Sequence, residues 1–154
     1  IWIDVFPLDG NPNYRVKTEK LYKKVARYRR ILSLRNANPW EGRTWYVRIT
    51  KPFVVGLLQV LPNHFLCSKM DSISKTYSYQ TSTYVGGVLW GYGARESMDK
   101  KVFQEQKKVA FEQENFPAPV GYQIYLSRLY GKYMVLPPKE KRITHILDAY
   151  LREK

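Results

Sequence analysis

The chain has 154 residues, which is enough for one domain with a buried core. Its apolar content of 44% is typical of a globular protein and excludes a disordered chain. The net charge of +13 favours anionic partners, namely nucleic acid, anionic lipid or phosphate-bearing substrates. A single cysteine excludes an intrachain disulfide. One cysteine and two histidines also argue against a structural zinc site, which usually has four Cys or His ligands.

The first six residues predict a strand, because β-branched residues alternate with Trp, Asp and Phe. Pro7 and residues 9–12 predict a turn after it. Asp4 is unusual in this pattern, since burying a carboxylate in mid-strand is costly unless a cation or hydrogen-bond donors meet it. Asp4 is therefore either a metal ligand beside an active site or a carboxylate satisfied by backbone N–H groups or an arginine.

A basic helix is predicted next, over residues 18–35. Its apolar residues recur at helical spacing and are Leu21, Val25, Tyr28 and Leu32. Residues 14–35 contain nine cations and one acid, Glu19. This segment is either a solvated helix face or a surface for anionic lipid or an anionic polymer.

Two shorter helices are predicted in the next part of the chain, over residues 52–61 and 63–74. Thr50 is a suitable N-cap for the first of them, and Pro52 is tolerated in its first turn. The residues expected to face the core are Phe53, Leu57 and Leu61 in the first helix and Phe65, Leu66, Met70 and Ile73 in the second.

A glycine-rich strand is predicted over residues 82–90, interrupted by Gly86 and Gly87. Two neighbouring glycines in a strand indicate a bulge or a close approach of the backbone to a ligand. With Gly91 and Gly93 in the loop that follows, the stretch is either a backbone cradle beside a nucleotide or an ordinary tight turn.

The last third of the chain predicts a short strand near residues 109–111 and an extended connector over residues 116–119. A helix follows over residues 122–130, with Tyr125, Leu126 and Leu129 expected to face inward, and Gly131 is placed to end it. A final helix is predicted over residues 139–153 from its apolar spacing.

Two blocks of sequence resemble the LicD family, whose members transfer phosphocholine or a similar group from a CDP-linked donor. The first block is W-I-D-V-F-P-L-D-G, residues 2–10. The second begins with F-E-Q-E-N-F-P-A-P-V-G-Y, residues 111–122, and ends with P-P-K-E-K-R-I-T-H, residues 137–145. Fukutin-type transferases share this outline more loosely. The resemblance extends over nearly the whole chain.

The resemblance implies an α+β fold, the later part of a nucleotidyltransferase-like core with a small mixed sheet packed against several helices. It implies one domain over residues 1–154, and we expect an Asp-rich metal cluster upstream, without which the fragment should be inactive. The implied function is transfer of phosphocholine or a similar phospho-group to a glycan, lipopolysaccharide or teichoic-acid-type acceptor. The alternative is a non-enzymatic basic module that binds nucleic acid or an anionic membrane.

The resemblance also implies roles for five residues. Asp4 is expected to be catalytic and to bind Mg²⁺ or another divalent cation, because such ions prefer oxygen ligands. His145 is expected to be catalytic, and Arg142, three residues earlier on the predicted helix, to bind phosphate. The alternative for both residues is a capping or surface role. Lys132 and Glu112 are the remaining expected substrate contacts. LicD-like proteins more often have Asp at the position of Lys132, which is a departure from the family pattern, and Glu112 is equally suited to a role in supporting the fold.

The partners that follow from the resemblance are a CDP-linked small-molecule donor and a glycan or lipid-linked glycan acceptor. Peripheral contact with an anionic membrane is a further expectation, and nucleic acid is not expected as a partner of the enzyme. The expected location is the cytoplasm, at the inner face of the membrane.

Overall fold

The computed structural model describes residues 5–42, 44–89 and 91–136, together with residues 138, 140 and 142. These residues form helices and short antiparallel strands, which is an α+β arrangement. The elements in chain order are β1 (Asp9–Asn11), α1 (Arg15–Arg35), α2 (Trp45–Leu58), α3 (Asn63–Ser74), β2 (Tyr84–Gly86), a 3₁₀ turn (Ala94–Glu96), β3 (Met98–Asp99), α4 (Lys101–Gln104), β4 (Gln106–Phe111), β5 (Glu114–Pro119) and α5 (Tyr122–Tyr130). None of the helices in these ranges is long and apolar enough to cross a bilayer.

The strands form two antiparallel sheets. β1, β2 and β3 pair in that order, with Asp9 opposite Gly86 and Val85 opposite Met98. β4 and β5 form a separate hairpin. The prediction of a mixed sheet is therefore wrong for the described residues, because every strand pairing among them is antiparallel.

The three-residue strand β1 occupies the position for which the sequence predicts a turn. Residues 5–8 are irregular, and residues 1–4, which carry most of the predicted strand, lie outside the described residues. A Cβ added to Gly10 would lie 2.5 Å from the carbonyl oxygen of Tyr77 and 2.6 Å from that of Ser78. Gly10 is thus needed for close packing of the backbone and does not mark a turn.

The main core lies between α1 and α3. Leu21, Tyr22 and Val25 of α1 pack with Ile73 of α3 and with Val88, which confirms the predicted apolar stripe of the basic helix. The helix predicted over residues 63–74 is confirmed at both ends. The helix predicted over residues 122–130 is also confirmed as α5, and the left-handed φ of 69° at Gly131 explains its end.

The helix α2 differs from its prediction in both extent and orientation. It begins at Trp45, so Pro52 lies inside it and Thr50 donates to the carbonyl oxygen of Tyr46 instead of capping a helix start. Phe53 and Leu57, which were expected to be buried, are 76% and 74% exposed. Val55 is the buried residue of this helix.

The remaining predictions are corrected in their extents. Residues 116–119, predicted as a connector, belong to β5, and the strand expected near residues 109–111 extends over β4. The strand expected over residues 82–90 is reduced to β2. The helix predicted over residues 139–153 falls almost entirely outside the described residues.

The two glycines Gly10 and Gly56 make a matched pair for testing the packing of β1. Gly10→Ala should lower the free energy of unfolding by about 1–3 kcal/mol, because the added methyl group overlaps two backbone carbonyls. Gly56→Ala in α2 should raise it by about 0.5–1 kcal/mol, because nothing lies within 4 Å of the new Cβ and alanine favours a helix. Urea titration of both variants measures the difference, and equal effects would contradict the close packing at Gly10.

Candidate functional site

A cleft of about 880 Å³ lies between segments that neighbour the two sheets and is lined by aromatic residues. Its walls come from residues 6–8, from the glycine-rich stretch after β2 and from the helix α5. Six aromatic side chains line it, and they are Phe6, Tyr92, Phe103, Tyr122, Tyr125 and Tyr130. The charged side chains among the lining residues are Arg29 and Glu96. The volume falls within the range of small-molecule sites, which typically combine apolar walls with a few polar groups.

Both blocks of sequence that resemble the LicD family meet at this aromatic cleft. The first block contributes Phe6, Pro7 and Leu8, and the second contributes Pro119 and Tyr122 among others. These blocks are about a hundred residues apart in the sequence. Their convergence on one cavity makes the cleft the candidate functional site.

The aromatic rings of the cleft are ordered by edge-to-face contacts. Tyr92 and Tyr130 have ring centroids 5.4 Å apart at an interplanar angle of 80°, and Phe103 and Tyr125 are 5.7 Å apart at 75°. The hydroxyl of Tyr130 donates to that of Tyr92 over 3.2 Å. This hydrogen bond, followed by burial, raises the pKa of Tyr130 to about 12. Its hydroxyl therefore stays protonated at neutral pH.

Glu96 places a buried carboxylate on the wall of the cleft. Its residue is 5% exposed, and its Oε1 accepts a short hydrogen bond from the backbone N–H of Tyr92. Burial raises the pKa of Glu96, while backbone N–H groups of Tyr92 and Gly87 and the positive charges of Arg29 and Arg95 act in the opposite direction. The cleft thus has a fixed hydrogen-bond acceptor, the Glu96 carboxylate. This carboxylate becomes protonated at a higher pH than an ordinary glutamate does, because its pKa is raised.

Glycines make room for Glu96. A Cβ added to Gly91 would overlap the Glu96 carboxylate, and one added to Gly86 would lie 2.6 Å from the Glu96 carbonyl oxygen. Close packing against Glu96 explains Gly86 and Gly91, and neither interpretation of the glycine-rich stretch predicted it. Gly87 and Gly91 also line the cleft, and a role beside a nucleotide stays a prediction.

A second, basic cavity of about 430 Å³ is lined in part by the 3₁₀ turn and by Ser97 after it. It is lined by Arg15, Arg95 and Arg128, with Glu19 paired to Arg15 at 3.1 Å. Arg95 donates from Nε to the carbonyl oxygen of Tyr92 over 3.1 Å. Neighbouring residues of one turn therefore contribute a cation to the basic cavity and an anion to the aromatic cleft.

The five residues assigned from the resemblance are not brought together in the described part of the chain. Asp4 and His145 lie outside it. Glu112 is exposed in the β4–β5 turn with a φ of +54°, and Lys132 and Arg142 are exposed near the C-terminal end of the described ranges. None of these three lines the aromatic cleft. Their proposed roles stay predictions.

The described residues do not by themselves form a site for Mg²⁺. Within the described ranges, no group of three or more His, Cys, Asp or Glu side chains is close enough to hold a metal ion. Glu96, the carboxylate that lines the aromatic cleft, therefore lacks the neighbouring described ligands that a divalent cation needs. The metal expectation therefore continues to depend on Asp4.

Sequence reasoning missed Glu96 and the tyrosines of the cleft. Tyr125 packs against the core cluster of Met98, Val102 and Leu129, as its helical spacing predicts, but it also lines the cleft. Tyr92 and Glu96 belong to no periodic element, so no pattern distinguishes them. Gly91 and Gly93, on either side of Tyr92, are the sequence signal that could have identified this loop. Both glycines have a positive φ, a backbone conformation that other residues rarely adopt.

The raised pKa of Glu96 predicts a specific pH dependence of stability. The folded state binds the Glu96 proton more tightly than the unfolded state, because the pKa of Glu96 is raised on folding. Ionised Glu96 therefore lowers the free energy of unfolding at pH values above its folded pKa. This destabilisation decreases as pH falls toward 4.5, the ordinary pKa of a glutamate side chain. The stability of the wild type relative to Glu96→Gln should therefore increase as pH is lowered from 8 to about 4.5. Urea unfolding of both proteins across this range measures it, and a constant difference would show that the pKa of Glu96 is ordinary.

Comparison with known proteins identifies one relative of the whole chain. It is the lipopolysaccharide cholinephosphotransferase LicD of Haemophilus influenzae, which is 31% identical over 158 residues. The match covers 98% of this chain and 57% of the relative, so the chain spans little more than half of the relative's length. No family model and no solved structure matches the chain. The extent of this match, with both sequence blocks at one cleft, shows that the chain belongs to the LicD family.

Proposed function

We propose that the protein is a phosphotransferase that moves phosphocholine or a similar phospho-group from a CDP-linked donor to a glycan or lipid-linked glycan acceptor. The LicD relative supports the general activity, since its name describes a cholinephosphotransferase acting on lipopolysaccharide. The observation that carries the proposal to this chain is the aromatic cleft, where the two family blocks surround a group of tyrosines and a buried carboxylate.

A quaternary ammonium group is the ligand chemistry that best fits this cleft. Such a group is permanently charged and cannot donate a hydrogen bond, so proteins bind it with the faces of aromatic rings. The rings of Tyr92 and Tyr130 and those of Phe103 and Tyr125 line the cleft and hold one another at fixed angles. The Glu96 carboxylate supplies the opposite charge in a site that is partly shielded from water.

Arg29 makes the cleft suitable for a zwitterion and not only for a cation. Its guanidinium lies on the cleft wall, and its Nη1 donates to the carbonyl oxygen of Leu89 over 3.4 Å. Its positive charge also stabilises the ionised form of Glu96. With an anion and a cation on one wall, the cleft matches phosphocholine, whose ammonium and phosphate carry opposite charges.

The described residues are proposed to bind and orient the head group and to exclude water from it. Asp4, which precedes Phe6 by two residues, is the proposed ligand for Mg²⁺ or another divalent cation, which would stabilise negative charge on phosphate oxygens. His145 is the proposed catalytic residue, with Arg142, Lys132 and Glu112 as substrate contacts. A cytoplasmic location at the inner face of the membrane fits a nucleotide-linked donor.

The runner-up function is a non-enzymatic basic module, and one observation favours it. Most cations of α1 are exposed, including Lys20, Lys23, Lys24 and Arg27. Such a surface binds nucleic acid or an anionic membrane with a strong dependence on salt. It does not explain the aromatic cleft, so we prefer the transferase and propose α1 as an auxiliary surface.

The head-group proposal predicts that charge and aromatic rings both matter for binding. Phosphocholine should bind more tightly than the phosphate ester of 3,3-dimethylbutanol, which has the same shape without the positive charge. Tyr92→Leu and Tyr130→Leu should each weaken phosphocholine binding by roughly 3- to 30-fold, which corresponds to the loss of one cation–π contact. Isothermal titration calorimetry measures both effects on the full chain.

Tyr14→Leu provides the matched control, because Tyr14 is an exposed tyrosine that does not line the cleft. This variant should bind phosphocholine like the wild type. Equal affinity of the wild type for the charged and neutral esters would contradict the proposal, and so would unchanged binding in both cleft variants.

The transfer step is tested at Asp4. In the transferase, Asp4→Asn should lower kcat for transfer from CDP-choline by about two orders of magnitude. The reason is that the Asp4 carboxylate is proposed to hold the cation that stabilises negative charge on the phosphate oxygens during transfer. Folding should persist, since asparagine has the same shape. Steady-state kinetics with a circular dichroism check measures this, and a wild-type kcat would show that Asp4 has a structural role only.

A further inference from the structure

One face of α2 is an exposed apolar surface. Its members recur at helical spacing, and they are Trp45, Tyr46, Ile49, Phe53 and Leu57 of the helix, followed by Val60 just beyond it. At 100° per residue these side chains fall within an arc of about 120°, which is as wide as the buried face of an ordinary helix. Here that face points to solvent.

The rest of α2 carries its buried residue, Val55, and makes polar contacts with the chain segments next to the helix. Nε of Arg48 donates to the carbonyl oxygen of Gly42 over 3.0 Å, and Nζ of Lys51 donates to that of Glu41 over 2.7 Å. Just after the helix, Nε2 of Gln59 donates to the carbonyl oxygen of Arg35 over 3.0 Å. Arg48 and Lys51 thus fix α2 to the loop before it, and the apolar face, which contains none of these polar residues, points to solvent.

The charge of the protein indicates which partner suits this face. α2 has two cations and no acid, and it adjoins the C-terminal end of the cationic helix α1. The whole chain carries +13, so two copies would repel one another, whereas an anionic surface would attract it. Trp and Tyr at one end of the face are residues that favour the interface between lipid and water.

We propose that the exposed face of α2 inserts into the interfacial layer of an anionic lipid bilayer, with α2 lying parallel to the membrane plane. Helices of this kind bury their apolar face roughly 5–10 Å deep, and basic residues strengthen their binding to anionic lipid. The exposed cations of α1 attract the protein to the bilayer, and α2 supplies the part of binding that salt does not screen. This inference does not depend on what the aromatic cleft binds.

The test is flotation of the full chain with vesicles of phosphatidylcholine alone or mixed with phosphatidylglycerol. Excess free phosphocholine is added throughout, so that the aromatic cleft cannot contribute by binding lipid head groups. The α2 variant is Phe53→Ser with Leu57→Ser. The control is Met134→Ser with Leu136→Ser, whose side chains are 83% and 76% exposed and lie outside α2. Thermal melting confirms that both variants are folded.

The wild type and the control should bind the mixed vesicles and retain part of this binding in about 1 M salt, where the screening length is about 3 Å. The α2 variant should bind at least tenfold more weakly there, with unchanged affinity for phosphocholine in solution. Wild-type binding by the α2 variant would overturn the proposal, as would absence of vesicle binding by the wild type. Light scattering that shows a wild-type oligomer dissociated by the α2 substitutions would also overturn it and assign the face to a protein contact.

Discussion

The packing of Glu96 is the constraint on which the described site depends. Its side chain fits only because Gly91 has no Cβ, and its backbone approaches β2 only because Gly86 has none. The N–H of Tyr92 then binds the carboxylate, which fixes the loop that carries one ring of the aromatic cleft. Since Arg29 of α1 lies beside the same carboxylate, this single buried charge connects the main core with the wall of the cleft.

The same arrangement explains why the cleft forms at the meeting point of distant segments. α1 packs on α3 through a core that also includes Val88, which lies just before the loop of Gly91, Tyr92 and Gly93. On the other side, Leu129 of α5 packs with Met98 and Val102, which positions Tyr125 and Tyr130 opposite the loop. The two family blocks therefore supply walls, and the buried contacts between them set the spacing at which a small ligand fits.

How much of this could be predicted depended on whether the sequence pattern determined a single structure. α1, α3 and α5 were predictable because apolar residues at helical spacing had one partner face, and Gly131 ended α5 as expected. At Gly10, turn chemistry was misleading because the residue is required by a close contact with Tyr77 that only the fold reveals. In α2, periodicity located an apolar face correctly but could not show that this face is outside.

The candidate site was less predictable than the fold, for a related reason. Aromatic residues on α5 have the same spacing whether they face a core or a cleft. The spacing therefore predicted that Tyr125 packs on the core but not that it also lines the cleft. Glu96 is meaningful only when its burial is known, since an isolated glutamate in a loop is usually a surface residue. The family resemblance marked the right segments, and the structure shows which of their side chains share a cavity.

The most direct test of the head-group proposal is the position of bound phosphocholine. Nuclear magnetic resonance of the full chain with phosphocholine should show intermolecular Overhauser effects from the trimethylammonium protons to ring protons of Tyr92, Tyr125 and Tyr130. These methyl signals should also move upfield, because they lie over aromatic faces. Binding without any such contact, or contacts only to residues outside the cleft, would contradict the account.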